Sequence, residues 1–139
     1  MLLLDTHAWV WVIEGHARRV GRRVRQLLGR AEAHDEIRVS PASVFEVTTL
    51  YTSGRLHLAR PVEQWMRDAL SAPGVRLAEL TPTIAIDAGA IPRAALPDPL
   101  DRLLVATARQ LEAALVTGDR PILDYATRTG AVRVLDVRT

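Results

Sequence analysis

Four carboxylates in this 139-residue chain stand where they could do chemistry: Asp5, Glu46, Asp101 and Asp119. Asp5 ends the apolar run "LLLD". Glu46 lies in "SVFEVTTL", Asp101 in "DPLDRLLVATA", and Asp119 two residues after "ALVT". If the four converge, their charges must be neutralised. Two carboxylates about 4 Å apart repel by roughly 4 kcal/mol at an effective dielectric near 20. Either their pKa values rise or a cation binds between them. An oxygen-only donor set in a chain without cysteine selects a hard ion, Mg²⁺ or Mn²⁺. Mg²⁺ keeps several of its waters and takes phosphate as a co-ligand, which points to phosphate-ester hydrolysis by a metal-activated water.

Each acid also has a purely local reading. Asp5 suits the N-cap of a short helix starting at "THAW". Glu46 is flanked by Phe45 and Val47, where an unpaired buried charge would be costly, unless it turns to solvent. Asp98 is a good N-cap, Pro99 fits the first helical position, and Asp101 falls where a capping box wants a carboxylate. Asp119 suits a turn in "TGDRP". For the site to be absent, all four local readings would have to hold at once.

The elements that must position these residues follow from pattern. "LLLD" is a short apolar run without alternation, as expected of a strand buried on both faces. A helix is expected from about Arg18 to His34, a strand at Glu36–Ser40, and a helix capped by Ser40 and stopped by Gly54. Further helices are expected at Arg60–Ala72, from Thr81–Pro82 to about Ala90, and from Pro99 to about Ala113. Further strands are expected at Val75–Leu80, Ala114–Thr117 and in the terminal "VRVLDV". "IPRAALP" reads as a loop, and no helix is assigned after Asp119. Strands alternating with helices give an α/β fold with a mainly parallel five-stranded sheet, helices on both faces and a single domain over residues 1–139. In such sheets a site forms beyond the carboxyl ends of the strands, where all four acids fall.

Composition narrows the function classes. Hydrophobic residues make up 48% of the chain, enough for a sizeable core. The absence of cysteine excludes disulfides and thiolate metal sites and fits a reducing cytoplasm. "AWVWVI" is far too short to span a bilayer, and "MLLLDTHAW" has no basic n-region and does not read as a signal peptide. His16, His34 and His57 have no zinc spacing, and His7, beside Asp5, reads as hydrogen-bonding locally. No P-loop, dinucleotide fingerprint or nucleophile elbow is present. All 18 basic residues are arginine, and six cluster between Arg18 and Arg30, either as a phosphate-binding face or as a solvated helix face. Trp9, Trp11 and Trp65 suit either an interface or the core.

The stretches "LLLDTHAWVW", "SPASVFEV", "DPLDRLLVATARQLEAALVTGDRPI" and "VRVLDV" together resemble a PIN domain, in particular the VapC toxins of bacterial type II toxin–antitoxin pairs. The resemblance spans nearly the whole chain, and its most specific block runs from Asp98 to Asp119. It implies a Rossmann-like α/β/α sandwich and a Mg²⁺- or Mn²⁺-dependent endoribonuclease. It places the four acidic positions of the family on Asp5, Glu46, Asp101 and Asp119. It also implies hydroxyls near the metal at Thr6 and Thr117, and a capping or supporting role for Asp98. RNA as substrate, a VapB-like antitoxin and a homodimer come from the resemblance alone. Arg102 is expected either to contact substrate phosphate or to pair with a neighbouring acid. Two rival readings remain. A response-regulator or haloacid-dehalogenase phosphotransfer domain lacks its lysine here. A non-catalytic RNA- or antitoxin-binding module would keep the fold and bind metal without turnover.

Overall fold

The computed structural model describes residues 1–139 and shows a five-stranded sheet with helices on both faces. In chain order the elements are β1 (Leu2–Leu4), α1 (Thr6–Glu14), α2 (Arg22–Ala33), β2 (Ile37–Val39), α3 (Pro41–Thr52) and α4 (Val62–Leu70). They continue with β3 (Val75–Leu77), α5 (Pro82–Ala90), α6 (Pro99–Leu111), β4 (Ala114–Thr117), α7 (Arg120–Thr129) and β5 (Val134–Asp136). The sheet is parallel throughout rather than mainly so. Its order is β3-β2-β1-β4-β5, with Leu2–Leu4 of β1 in register with Ile37–Val39 on one side and Ala114–Val116 on the other.

The unbroken apolar strands follow from this placement. Successive strand residues face opposite layers. Leu2 and Leu4 join a core with Trp9, Val24, Val39, Val47 and Trp65, whereas Leu3 joins Leu115, Leu104, Val105 and Ile122 on the other face. A strand sealed on both faces cannot carry an alternating pattern. A small third cluster of Ile84, Ala88 and Ala106 locks α5 to α6. Trp9 and Trp65 are fully buried and meet edge to face, with ring centroids 4.9 Å apart, so these two belong to the core and not to an interface.

Two helical expectations need correction. The basic helix is shorter than expected, beginning at Arg22 after an α1 that takes up Thr6–Glu14; Gly15, in the left-handed conformation at φ 70°, ends α1. The segment after Asp119 is a ten-residue helix, α7, with Pro121 in its first turn. The Gly-Asp pair read there as a turn is instead the helix entry. No helix is long and apolar enough to cross a membrane.

Candidate active site

The strand order fixes where a site can lie. From β1 the chain builds outward through β2 and β3, then returns to add β4 and β5 on the other side. The switch between β1 and β4 opens a crevice at their carboxyl ends. Asp5 follows β1 there, and its backbone N–H donates to the Val116 carbonyl of β4 at 3.0 Å. A cleft of about 330 Å³ occupies this position, lined by Asp5, Thr6, His7, Trp11, Glu46, Asp98, Asp101, Leu104, Gly118 and Asp119. All four predicted acids thus line one cavity.

Asp5 is the most constrained of them. It caps α1, with Oδ1 accepting from the Ala8 N–H at 2.8 Å, and Oδ2 accepts from the Thr117 hydroxyl. Thr117 is itself fully buried, and its Oγ1 also accepts from the Asp119 N–H at 3.0 Å. One hydroxyl therefore links the acid after β1 to the acid after β4. Burial pushes the Asp5 carboxyl above its ordinary range, against the Thr117 and Ala8 hydrogen bonds and the nearby His7, which pull it down.

Asp101 lies in the first turn of α6, only 9% exposed. Its pKa is pushed up to about 8, first by burial and then by the negative charges of Asp119, Asp98 and Glu46. The capping reading of this turn falls to Asp98, whose Oδ1 accepts from the Leu100 N–H at 2.9 Å. Asp98 lines the cleft as well, so it caps and contributes charge together. Asp119 occupies the N-cap of α7 but makes no side-chain cap bond. Glu46, on α3, is half-buried. Of its two apolar neighbours only Val47 is buried; Phe45 points outward at 64% exposure.

The supporting residues depart from expectation in several places. The Thr6 hydroxyl donates to the buried Ser43 Oγ at 3.2 Å, tying the start of α1 to α3 one turn before Glu46. Ser43 was not singled out from the sequence. Its signal was the three-residue spacing to Glu46, which puts both on one stretch of helix face. His7 makes no local hydrogen bond and stands exposed at the cleft, and Trp11 and Gly118 also line it. Arg102 does not form the expected ion pair. It lines no part of the cleft and pairs with no acid, and its Nε is buried without a partner.

The donor chemistry fits a hard cation. Every carboxylate and hydroxyl here offers oxygen, and two of the acids are held above their ordinary pKa, first by burial and, at Asp101, next by the neighbouring acids Asp119, Asp98 and Glu46. No three His, Asp or Glu side chains enclose an ion between them. Mg²⁺ needs no such cage, because it is typically held through one or two carboxylates, its own waters and substrate phosphate.

A wholly parallel α/β/α sheet with an acidic cleft at its switch point defines the class of protein. Residues 2–127 match the PIN domain family model, and the chain belongs to the PIN domain family. It is 36% identical over 124 residues to Ribonuclease VapC22 of Mycobacterium tuberculosis, covering 89% of this chain and 91% of that one. Among solved structures, VapBC2 from Rickettsia felis bound to a DNA fragment from its promoter superposes with a TM-score of 0.68 at 16% identity, over 96% of each chain. DNA-bound VapBC from Salmonella typhimurium gives 0.66 at 19% identity, over 97% of this chain and 96% of that one.

Proposed function

We propose that the protein is a metal-dependent endoribonuclease, the toxin of a type II toxin–antitoxin pair, acting as a single domain in the cytoplasm. The observation that carries this reading is the convergence of Asp5, Glu46, Asp101 and Asp119 on one cleft, with Asp101 pushed up to about 8. The relative named Ribonuclease VapC22 supports RNA as the substrate.

Asp5, Asp101 and Asp119 would hold Mg²⁺ or Mn²⁺ directly or through water. Bound there, the ion would supply Lewis acidity and a lowered water pKa. The chain's own residues do the rest. Thr117 holds Asp5 and the Asp119 backbone in one register. Thr6 and Ser43 fix α1 against α3 and so fix Asp5 relative to Glu46. Glu46, half-buried in the cleft wall, would bind the ion or orient the attacking water. The N-termini of α1, α6 and α7 all point into this region and favour negative charge there.

The VapBC complexes among the similar structures support a VapB-like antitoxin as partner. A homodimer is part of the same reading, and the outward apolar side chains Phe45 and Ile86, 64% and 73% exposed, are candidates for its contacts. The deciding experiment is cleavage of labelled total RNA with Mg²⁺, with Mn²⁺ and with EDTA, beside the Asp5→Asn and Asp101→Asn proteins. Metal-dependent cutting at discrete sites, lost in both variants, is the expected result. No cutting by folded, antitoxin-free protein overturns the catalytic reading in favour of a binding module.

A further inference from the structure

An acidic cleft holds a phosphate only through a cation, so the rest of a nucleic acid must be met at the cleft's margins. One margin is built for this. His7 and Trp11 are one helical turn apart on α1, and both line the cleft beside Asp5. Their ring centroids are 6.1 Å apart at an interplanar angle of 49°. His7 is exposed, and its ring makes no side-chain hydrogen bond or ion pair, acting on Asp5 only through charge. Trp11 is held in place. The Arg19 guanidinium lies 5.3 Å above its ring. On the cleft side the six-membered ring reaches Gly118, where a Cβ would sit 3.6 Å from Cζ3 and 3.8 Å from Cη2. Gly118 stands between Thr117 and Asp119, so the rings and the acids share a loop. Beyond Trp11, Arg25 shares a second hollow with it; Arg19 and Arg25 are exposed and neither pairs with a carboxylate, whereas Arg30 stands at the opposite edge of the sheet beside Met1 and Glu36.

We propose that the His7 ring, backed by Trp11, is the platform on which a base of single-stranded RNA stacks beside the phosphate held in the cleft, with Arg19 and its neighbours meeting the adjoining backbone. This rests on the reading that the cleft takes RNA. Stacking suits the site because it needs only a flat ring and accepts any base. It also requires an unpaired strand, since a base inside a duplex has no free face to offer.

The test separates the platform from the chemistry. Octa-adenylate and an octamer of abasic ribose phosphates are bound to the full chain, with Ca²⁺ in place of Mg²⁺ to keep the RNA intact. The wild-type chain should bind octa-adenylate about tenfold more tightly than the abasic strand. His7→Ala should reduce that ratio to within about twofold, and His7→Phe should restore it, which a proton-carrying role for His7 would not allow. Retention of the ratio in His7→Ala, or equal binding of both strands by the wild-type chain, overturns the platform. Cleavage of octa-adenylate by the wild-type chain in Mg²⁺ is scored separately. Binding with the expected ratio but no cleavage of any RNA overturns the nuclease reading alone. No RNA binding at all overturns both.

Discussion

The starts of α6 and α7 look alike in sequence and are used differently. Each begins with an aspartate N-cap and a proline in the first turn. At α6 the tasks are divided. Asp98 gives its carboxylate to the Leu100 N–H, and Asp101, one turn further, is left to face the cleft. At α7 the carboxylate of the cap residue makes no cap bond and faces Asp101 instead, while the Asp119 N–H donates to Thr117 Oγ1 and its carbonyl accepts from the Leu123 N–H. The start of α1 is a third solution, in which Asp5 caps with one oxygen and receives Thr117 with the other. An N-terminal carboxylate is therefore cap, site or both according to where the neighbouring N–H groups find their acceptors.

The comparison can be broken most sharply at the acids that face the cleft. Asp101→Asn and Asp119→Asn should each reduce RNA cleavage by at least ~100-fold. Their stability effects should differ. The proton on Asp101 is retained up to about pH 8 in the folded, metal-free protein, but only to an ordinary carboxyl value when unfolded. Its contribution to stability is complete below pH 3.8 and is lost as pH rises through about 8. Removing that ionisation should stabilise the metal-free protein at pH 9 by ~2 kcal/mol, a gain in Tm of several degrees that fades toward pH 4. Added Mg²⁺ should raise the wild-type Tm more at pH 8 than at pH 6, because ion and proton compete for the same carboxylates. Thermal melts across this pH range check both.

Thr117→Val should have the next largest effect. It leaves a buried Asp5 oxygen and the Asp119 N–H without their partner and should cost about 1–3 kcal/mol in denaturant unfolding. Cleavage should fall about 10–100-fold, as for other residues that orient metal ligands. The smallest effect belongs to Asp98. Asp98→Ala should cost ~1 kcal/mol, the loss of a cap, with cleavage within a few-fold of wild type. Asp119→Ala gives the converse, loss of cleavage without a lost cap bond. If Asp98→Ala abolishes cleavage while leaving stability unchanged, the division of tasks at α6 is wrong.

Much of this was legible in the chain because it is local. The uninterrupted Leu2–Leu4 marks a strand covered on both faces, and "DPLD" marks a helix start. Other features were not legible, because they depend on packing between distant segments. Phe45 and Val47 are equally apolar, yet one is 64% exposed and the other buried, since α3 turns only one face to the core. Trp9 and Trp11 are two residues apart, and helical rotation sends the first to the core and the second to the cleft. Neither Ser43 nor Gly118 carries a motif of its own. Ser43 matters because it meets Thr6, 37 residues away, and Gly118 because Trp11 lies against it.

The sequence by itself determined the inventory: alternating short strands and helices, three carboxylates that follow or open an element and a fourth in the second turn of a helix, and an oxygen-only chemistry without cysteine. These are set by periodicity, capping and residue type, which act over a few neighbouring residues. Only the tertiary structure decided that β4 returns to lie beside β1. That pairing brings Thr117 to Asp5 across 112 residues and turns separate helix starts into one cleft. It is fixed by the burial of whole strands between two helical layers, a cooperative property that no single stretch contains.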